Sequence, residues 1–242
     1  MTNLISIDQL EKISESDPIF KNGCILDTNI LIAVSLPIDP MNEAAEAIIQ
    51  RLVQLQIPLF SNVNIRSEFL EIQRRILIPE CLLELYELNC TLDDFLAAKL
   101  KSIQTSYRKS LDNRKIYKFP DERIKEFREL LSARAIEENN GWIYFCQTFL
   151  APQLSVVWDE IVTTCALQFI KIRDGEHHPL LIRRRSWSGV TSLMGNYGLS
   201  SADSMILNLL LSSTLNLVAT ADGDMQNMAA ELGKNGKYVL RI

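Results

Sequence analysis

Two stretches of this chain alternate short apolar runs with segments of helical periodicity, and a longer helical stretch separates them. Gly23 to Asp27 is an apolar run ending in an acid, followed by apolar residues up to Pro37. Pro40 then opens a helix expected over Met41 to Gln56, where Ala44, Ala47, Ile48, Val53 and Leu55 recur among charges at helical rather than alternating spacing. Ile57 to Ser61 predicts a second strand and Asn62 to Leu77 a second long helix, closed by Pro79. Alternation resumes with an apolar helix over Ser200 to Ser213, whose leading Ser and Asp side chains suit free backbone N–H groups. Leu215 to Thr220 predicts a strand, Asp224 to Leu232 a short helix ended by Gly233, and Lys237 to Ile242 a last strand.

Strand followed by helix, repeated, predicts an α/β fold with a parallel sheet. Residues 21–78 and 196–242 make one discontinuous core, and residues 79–195 a mostly helical insertion. Within the insertion, Ile124, Phe127 and Leu131 form a stripe on a helix opened by Pro120-Asp121-Glu122, and Ser155 to Ile172 predicts another, largely buried helix. Charge is polarised there. Residues 79–95 carry Glu80, Glu84, Glu87, Asp93 and Asp94 with no Lys or Arg, whereas 108–118 carry Arg108, Lys109, Arg114, Lys115 and Lys118 against Asp112 alone.

A length of 242 residues accommodates one large domain or a domain with a substantial insertion. Five cysteines, an odd number without a Cys-x-x-Cys pair, disfavour a disulfide framework or zinc site and fit a reducing cytosol. Met1 to Asp17 lacks the basic start and apolar core of a secretory signal, so a cytoplasmic location is expected. Ser204 to Ala221 is uncharged, but Asn208, Ser212, Ser213, Thr214 and Asn216 interrupt it. It reads as a buried helix and strand, and no membrane partner is expected.

The chemistry concentrates in Asp27, Glu68, Asp203 and Asp222, all at predicted strand-to-helix junctions. Singly, each has an ordinary explanation as a cap, a turn residue or a solvated helix position. Together they fall on the carboxyl edge of a parallel sheet, where ligands bind. Carboxylates crowded on one rim repel unless a divalent cation offsets them. The net charge of −5 does not decide against a polyanionic partner, because these four acids supply most of it and bound cations would offset them.

At these residues the chain resembles the PIN-domain nucleases. Cys24-Ile-Leu-Asp-Thr-Asn-Ile-Leu-Ile32 is similar to their first motif, and Ser67-Glu68-Phe69-Leu70 to their helix-borne Glu. Tyr197-Gly-Leu-Ser-Ser-Ala-Asp203-Ser-Met-Ile206 resembles the segment of their third acid, and Leu217-Val-Ala-Thr-Ala-Asp222 their strand ending in Thr-x-Asp. The resemblance implies a PIN-like three-layer fold and a Mg²⁺- or Mn²⁺-dependent phosphodiesterase, most often an endoribonuclease acting on RNA. In bacteria such proteins are often the toxin of a toxin–antitoxin pair, which implies a protein antitoxin or a homo-oligomer as partner. Asp27, Asp203 and Asp222 are then the main ligands, with Glu68 on a second ion or orienting water and Asp224 an alternate to Asp222. Thr28, Asn29 and Thr220 would hold the carboxylates or contact phosphate. The chain departs from the small toxins in the 135-residue step from Glu68 to Asp203, a gap with room for one core strand besides the inserted helices.

Arg183-Arg184-Arg185 followed by Trp187 invites an RNA-binding reading, with a solvated basic loop as its equal alternative. His177-His178 reads as an exposed loop, and the cysteines, Trp142 and Trp158 as core. Three rival functions stay open: a phosphatase-type enzyme with Asp27 as nucleophile, which would want an acid where Asn29 stands; a DNA nuclease; and a PIN-like binding or assembly module with little catalysis.

Overall fold

A computed structural model of the chain describes residues 3–88, 92–171, 178–184 and 186–242. Cys90, His177 and Arg185 lie outside the described residues. In chain order the elements are β1 (Leu4–Ile5), α1 (Ile7–Ser16), a 3₁₀ turn (Pro18–Asn22), β2 (Cys24–Leu26), α2 (Thr28–Ser35), α3 (Asn42–Gln54), β3 (Leu59–Asn62) and α4 (Val63–Leu88). There follow α5 (Asp94–Asp112), α6 (Asp121–Ser132), the two-residue strands β4 (Ala135–Ile136) and β5 (Asn139–Asn140), α7 (Gly141–Phe145) and, after a π-helical turn at Cys146–Leu150, α8 (Ala151–Thr164). The chain ends with β6 (Gln168–Ile170), α9 (Trp187–Tyr197), α10 (Ser201–Ser212), β7 (Leu217–Thr220), α11 (Gly223–Asn227), α12 (Ala229–Gly233) and β8 (Tyr238–Arg241). Among the described residues no helix is long and apolar enough to cross a membrane.

The chain divides into two compact units: residues 1–37, 41–69 and 161–242, and residues 38–40 and 70–160. The first is an α/β unit around a six-stranded parallel sheet in the order β1-β8-β7-β2-β3-β6. Every residue of β2, β3 and β7 is buried, on both parities of the strand, so both faces of the sheet are covered. That is the condition for a three-layer α/β arrangement. Leaving β2, the chain turns through α2 and α3 to β3; leaving β7, it turns through α11 and α12 to β8 on the other side. The neighbouring strands β2 and β7 therefore bracket a topological switch point, and the crevice outside their carboxyl ends is where such sheets bind ligands.

The second unit is helical. Its core joins Leu82 and Leu85 of α4, Leu96, Leu100 and Ile103 of α5, the expected Ile124–Phe127–Leu131 stripe of α6, and Phe145 and Phe149. Cys24, Cys81 and Cys165 are buried, as is Trp158, and Trp142 is packed against the helical core.

Three elements differ from the sequence expectation. Pro79 does not close the second long helix, for α4 runs on to Leu88. Proline removes one N–H and displaces the carbonyl four residues earlier. That carbonyl, of Arg75, instead accepts from the Phe119 N–H at 3.0 Å, so the helix survives the interruption. The helix expected over Ser155 to Ile172 stops at Thr164, where Ala166 takes a left-handed φ of 49°, and Gln168–Ile170 pairs with β3 instead. Sheet pairing overrides a helical pattern too short to arbitrate itself. Finally, Leu4 and Ile5 pair with β8, outside the core range of 21–78, and α1 follows with a reciprocal Ser6–Gln9 capping box.

Candidate functional site at the carboxyl edge of the sheet

Strand register sets one row of residues across this edge. Thr220 is the last residue of β7 and pairs with Arg241; Asp27 follows β2, whose Leu26 pairs with Ala219; Asn62 ends β3 and pairs with Ile170. The pairing of Cys24 with Leu59 and Ile25 with Phe60 carries Asp27 opposite Asn62. Side chains in one register row project to the same side of a sheet.

Asp27 is the centre of this row and is 3 % exposed. It caps α2, its Oδ1 accepting from the Thr28 N–H at 2.7 Å. Its Oδ2 accepts from the Thr220 hydroxyl at 2.6 Å and from Asn29 Nδ2 at 2.8 Å. Asn29 Oδ1 in turn accepts from the Ala221 N–H, and the Thr220 hydroxyl accepts from the Asp222 N–H at 2.9 Å. Thr28 and Asn29 at the start of α2 and Thr220 at the end of β7 thus hold the Asp27 carboxylate. Glu68, on α4, is brought to the same place: its Oε2 accepts from the Thr28 hydroxyl at 2.7 Å.

Asp203 sits in the first turn of α10 and accepts from the Ser200 hydroxyl at 2.6 Å. Asp222 caps α11, accepting from the Asp224 and Met225 N–H groups at 2.8 and 3.0 Å. The electrostatics tie these positions together. Burial first, with the Asp203 and Glu68 charges adding to it, pushes the Asp27 carboxyl from 3.8 up to about 6, against the lowering effect of its hydrogen bonds. Asp203 is also raised, first by burial, then by the Asp222 and Asp224 charges, with Ser200 opposing. Asp27 thus feels the charges of Asp203 and Glu68, and Asp203 those of Asp222 and Asp224.

No family model, no curated protein and no solved structure matches this chain.

The donor chemistry at this edge fits a hard divalent cation: carboxylate oxygens with uncompensated negative charge, and no thiolate or imidazole among them. In the arrangement described here each carboxylate is nevertheless turned to donors beside it, Asp27 to Thr28, Asn29 and Thr220, Asp203 to Ser200, Asp222 to α11. Accordingly, among the described residues no group of three His, Cys, Asp or Glu side chains is set to hold one ion.

Arg183 of the basic run is not brought to this edge. Arg183 is exposed and meets the other end of α10, its Nε near the Ser212 hydroxyl at 3.4 Å. Lys237 is pushed down to about 8, first by burial and then by the Arg183 charge, and its Nζ donates to the Ser213 and Leu215 carbonyls just before β7. From Asp203 to Ser212 along α10 is about 14 Å at 1.5 Å per residue. Arg184 is exposed next to Arg183. His178 Nδ1 accepts from the Leu180 N–H at 3.3 Å, a local loop bond.

Sequence reasoning passed over Asn62. It is 1 % exposed, and its Oδ1 accepts from the Asn64 and Ile65 N–H groups at 2.8 and 3.1 Å, capping α4. The available signal was an Asn directly before the helix that carries Glu68.

Proposed function

We propose that this chain is a divalent-metal-dependent phosphodiesterase with a PIN-like catalytic unit, and that its substrate is RNA cleaved internally. The observation that carries the reading is the buried Asp27 carboxylate at the switch point, with Glu68 bonded to Thr28 beside it; burial first, and then the charges of Asp203 and Glu68, raise its carboxyl. Such a cost is tolerated where function requires concentrated negative charge. Asp27, Asp203 and Asp222 would hold Mg²⁺ or Mn²⁺, with Glu68 and Asp224 as further ligands. The ion supplies Lewis acidity that eases deprotonation of water and offsets charge on the phosphate. The chain's own part is to fix the carboxylates. Thr220 and Asn29 hold Asp27, Ser200 holds Asp203, and the α11 N-terminus holds Asp222. Glu68, anchored through Thr28, would bind a second ion or orient water.

The test is cleavage of a mixed panel of RNA and DNA oligonucleotides with Mn²⁺ or Mg²⁺, with and without EDTA. Metal-dependent internal cuts in RNA, abolished in Asp27→Asn, are expected; no cleavage of either polymer under any of these conditions refutes the reading. A second reading, a PIN-like assembly module without catalysis, draws on the satisfaction of each carboxylate by its own local donors. It predicts that divalent ions leave the unfolding temperature unchanged.

A further inference from the structure

Among the described residues, a small group of buried side-chain atoms has no hydrogen-bond partner, and two of them, Asn62 Nδ2 and Asn64 Nδ2, lie at the entry to α4. Buried polar groups are nearly always paired, so an orphaned donor asks for an explanation. The orientation of the Asn62 amide is not arbitrary. Only its oxygen can accept from the Asn64 and Ile65 N–H groups, so the oxygen faces α4 and the NH₂ faces away. Register puts the side chain on the same side of the sheet as the Asp27 carboxylate, one strand over, at a separation of about 5 Å between backbones. Asn64 is one helical turn before Glu68 and so on the same face of α4, and Glu68 is bonded to Thr28 beside Asp27. The carboxylates at this edge offer acceptors and negative charge; the two amides offer neutral donors with nothing to donate to.

We propose that Asn62 and Asn64 form the phosphate-binding side of the site, their NH₂ groups donating to non-bridging oxygens of a phosphodiester. The proposal rests on the nuclease reading above and adds the residues that receive the substrate. A donor pair is what a rim of carboxylates lacks for an anionic substrate. Neutral amides supply it without pairing with, and so disabling, the carboxylates as a Lys or Arg would.

Asn62→Ser and Asn62→Asp both retain a strong N-cap, and neither has an NH₂ group. Binding of a fluorescent single-stranded RNA oligonucleotide is measured by anisotropy in Ca²⁺, and KM and kcat for its cleavage in Mn²⁺, with thermal unfolding as a control. Expected is an affinity loss of about tenfold or more in both variants, the size associated with a lost hydrogen bond to a charged group, with the Asn62→Ser unfolding midpoint near the parent's and the Asn62→Asp midpoint lowered at neutral pH by a carboxylate buried beside Asp27. KM should rise more than kcat falls. Parent-level affinity in Asn62→Ser overturns the proposal whatever Asn62→Asp does, since loss in the latter alone reports only its added charge. Should both variants prove unstable, Asn64→Ala, which leaves the cap intact, must weaken binding for the proposal to stand. A parent protein that neither binds nor cuts RNA overturns the nuclease reading and this one together; a parent that does both, with unaffected variants, overturns this one alone.

Discussion

Replacing Asp27 by Asn should make the metal-free protein more stable at neutral pH even as it removes the proposed activity. The carboxyl rises from 3.8 to about 6 on folding, mainly through burial. A raised carboxyl binds its proton more tightly in the folded state, so between the two values the folded chain carries more protons and stability falls as pH rises. The shift corresponds to about 3 kcal/mol in full, of which roughly 2.5 kcal/mol develops between pH 4 and pH 7.5. Asn carries no such cost, but it cannot accept from Thr220 and Asn29 as a carboxylate does, which costs about 1 kcal/mol for each bond spoiled. The hydrogen-bond loss is present at both pH values. The difference in unfolding free energy between Asp27→Asn and parent should therefore move in the variant's favour by roughly 2.5 kcal/mol from pH 4 to pH 7.5. Urea unfolding of both proteins in EDTA across this range measures it. A difference that stays flat, or moves the other way, would refute the account of Asp27 as a desolvated, charge-crowded carboxylate. Adding Mn²⁺ at pH 7.5 should stabilise the parent and leave the variant nearly unmoved, because an ion stabilises only the state that binds it.

Glu68→Gln keeps an acceptor for the Thr28 hydroxyl and removes the charge, so RNA cleavage should fall by at least about tenfold across a Mn²⁺ titration while RNA binding persists; equal rates would reduce Glu68 to a helix-face residue. Thr220→Val removes the hydroxyl that donates to Asp27 and accepts from the Asp222 N–H, and should cost about 1–3 kcal/mol in urea unfolding at pH 7.5. Gly23→Ala drives a Cβ into the Phe60 ring at a φ of +121°, and should lower the unfolding free energy by well over the few tenths of a kcal/mol of an ordinary surface change. Neutralising Arg183, Arg184 and Arg185 together should leave kcat at saturating RNA unchanged, since Arg183 meets the far end of α10 from Asp203; a flattened salt dependence of binding would still count the phosphates those arginines touch.

What the sequence determined by itself is the part of this molecule written in local terms. Period and punctuation are read by neighbouring residues alone, which is why the Met41 helix, the buried strands ending at Asp27 and Thr220, and the Ile124–Phe127–Leu131 stripe were all legible. The gathering of Asp27, Glu68, Asp203 and Asp222 at one edge was legible too, because a parallel α/β alternation fixes which end of each strand faces which way. Tertiary structure decided what depends on partners distant in sequence. Whether Gln168–Ile170 is helix or strand depends on β3 offering it an edge, and whether Pro79 breaks a helix depends on the Phe119 N–H taking the Arg75 carbonyl. Arg183 precedes Asp203 by only twenty residues, yet it meets the far end of α10 from Asp203. Asn62 shows the same limit from the other side. Its cap was readable in sequence, but its register opposite Asp27 exists only because β2 and β3 pair, and no local pattern encodes which residue a strand will find beside it.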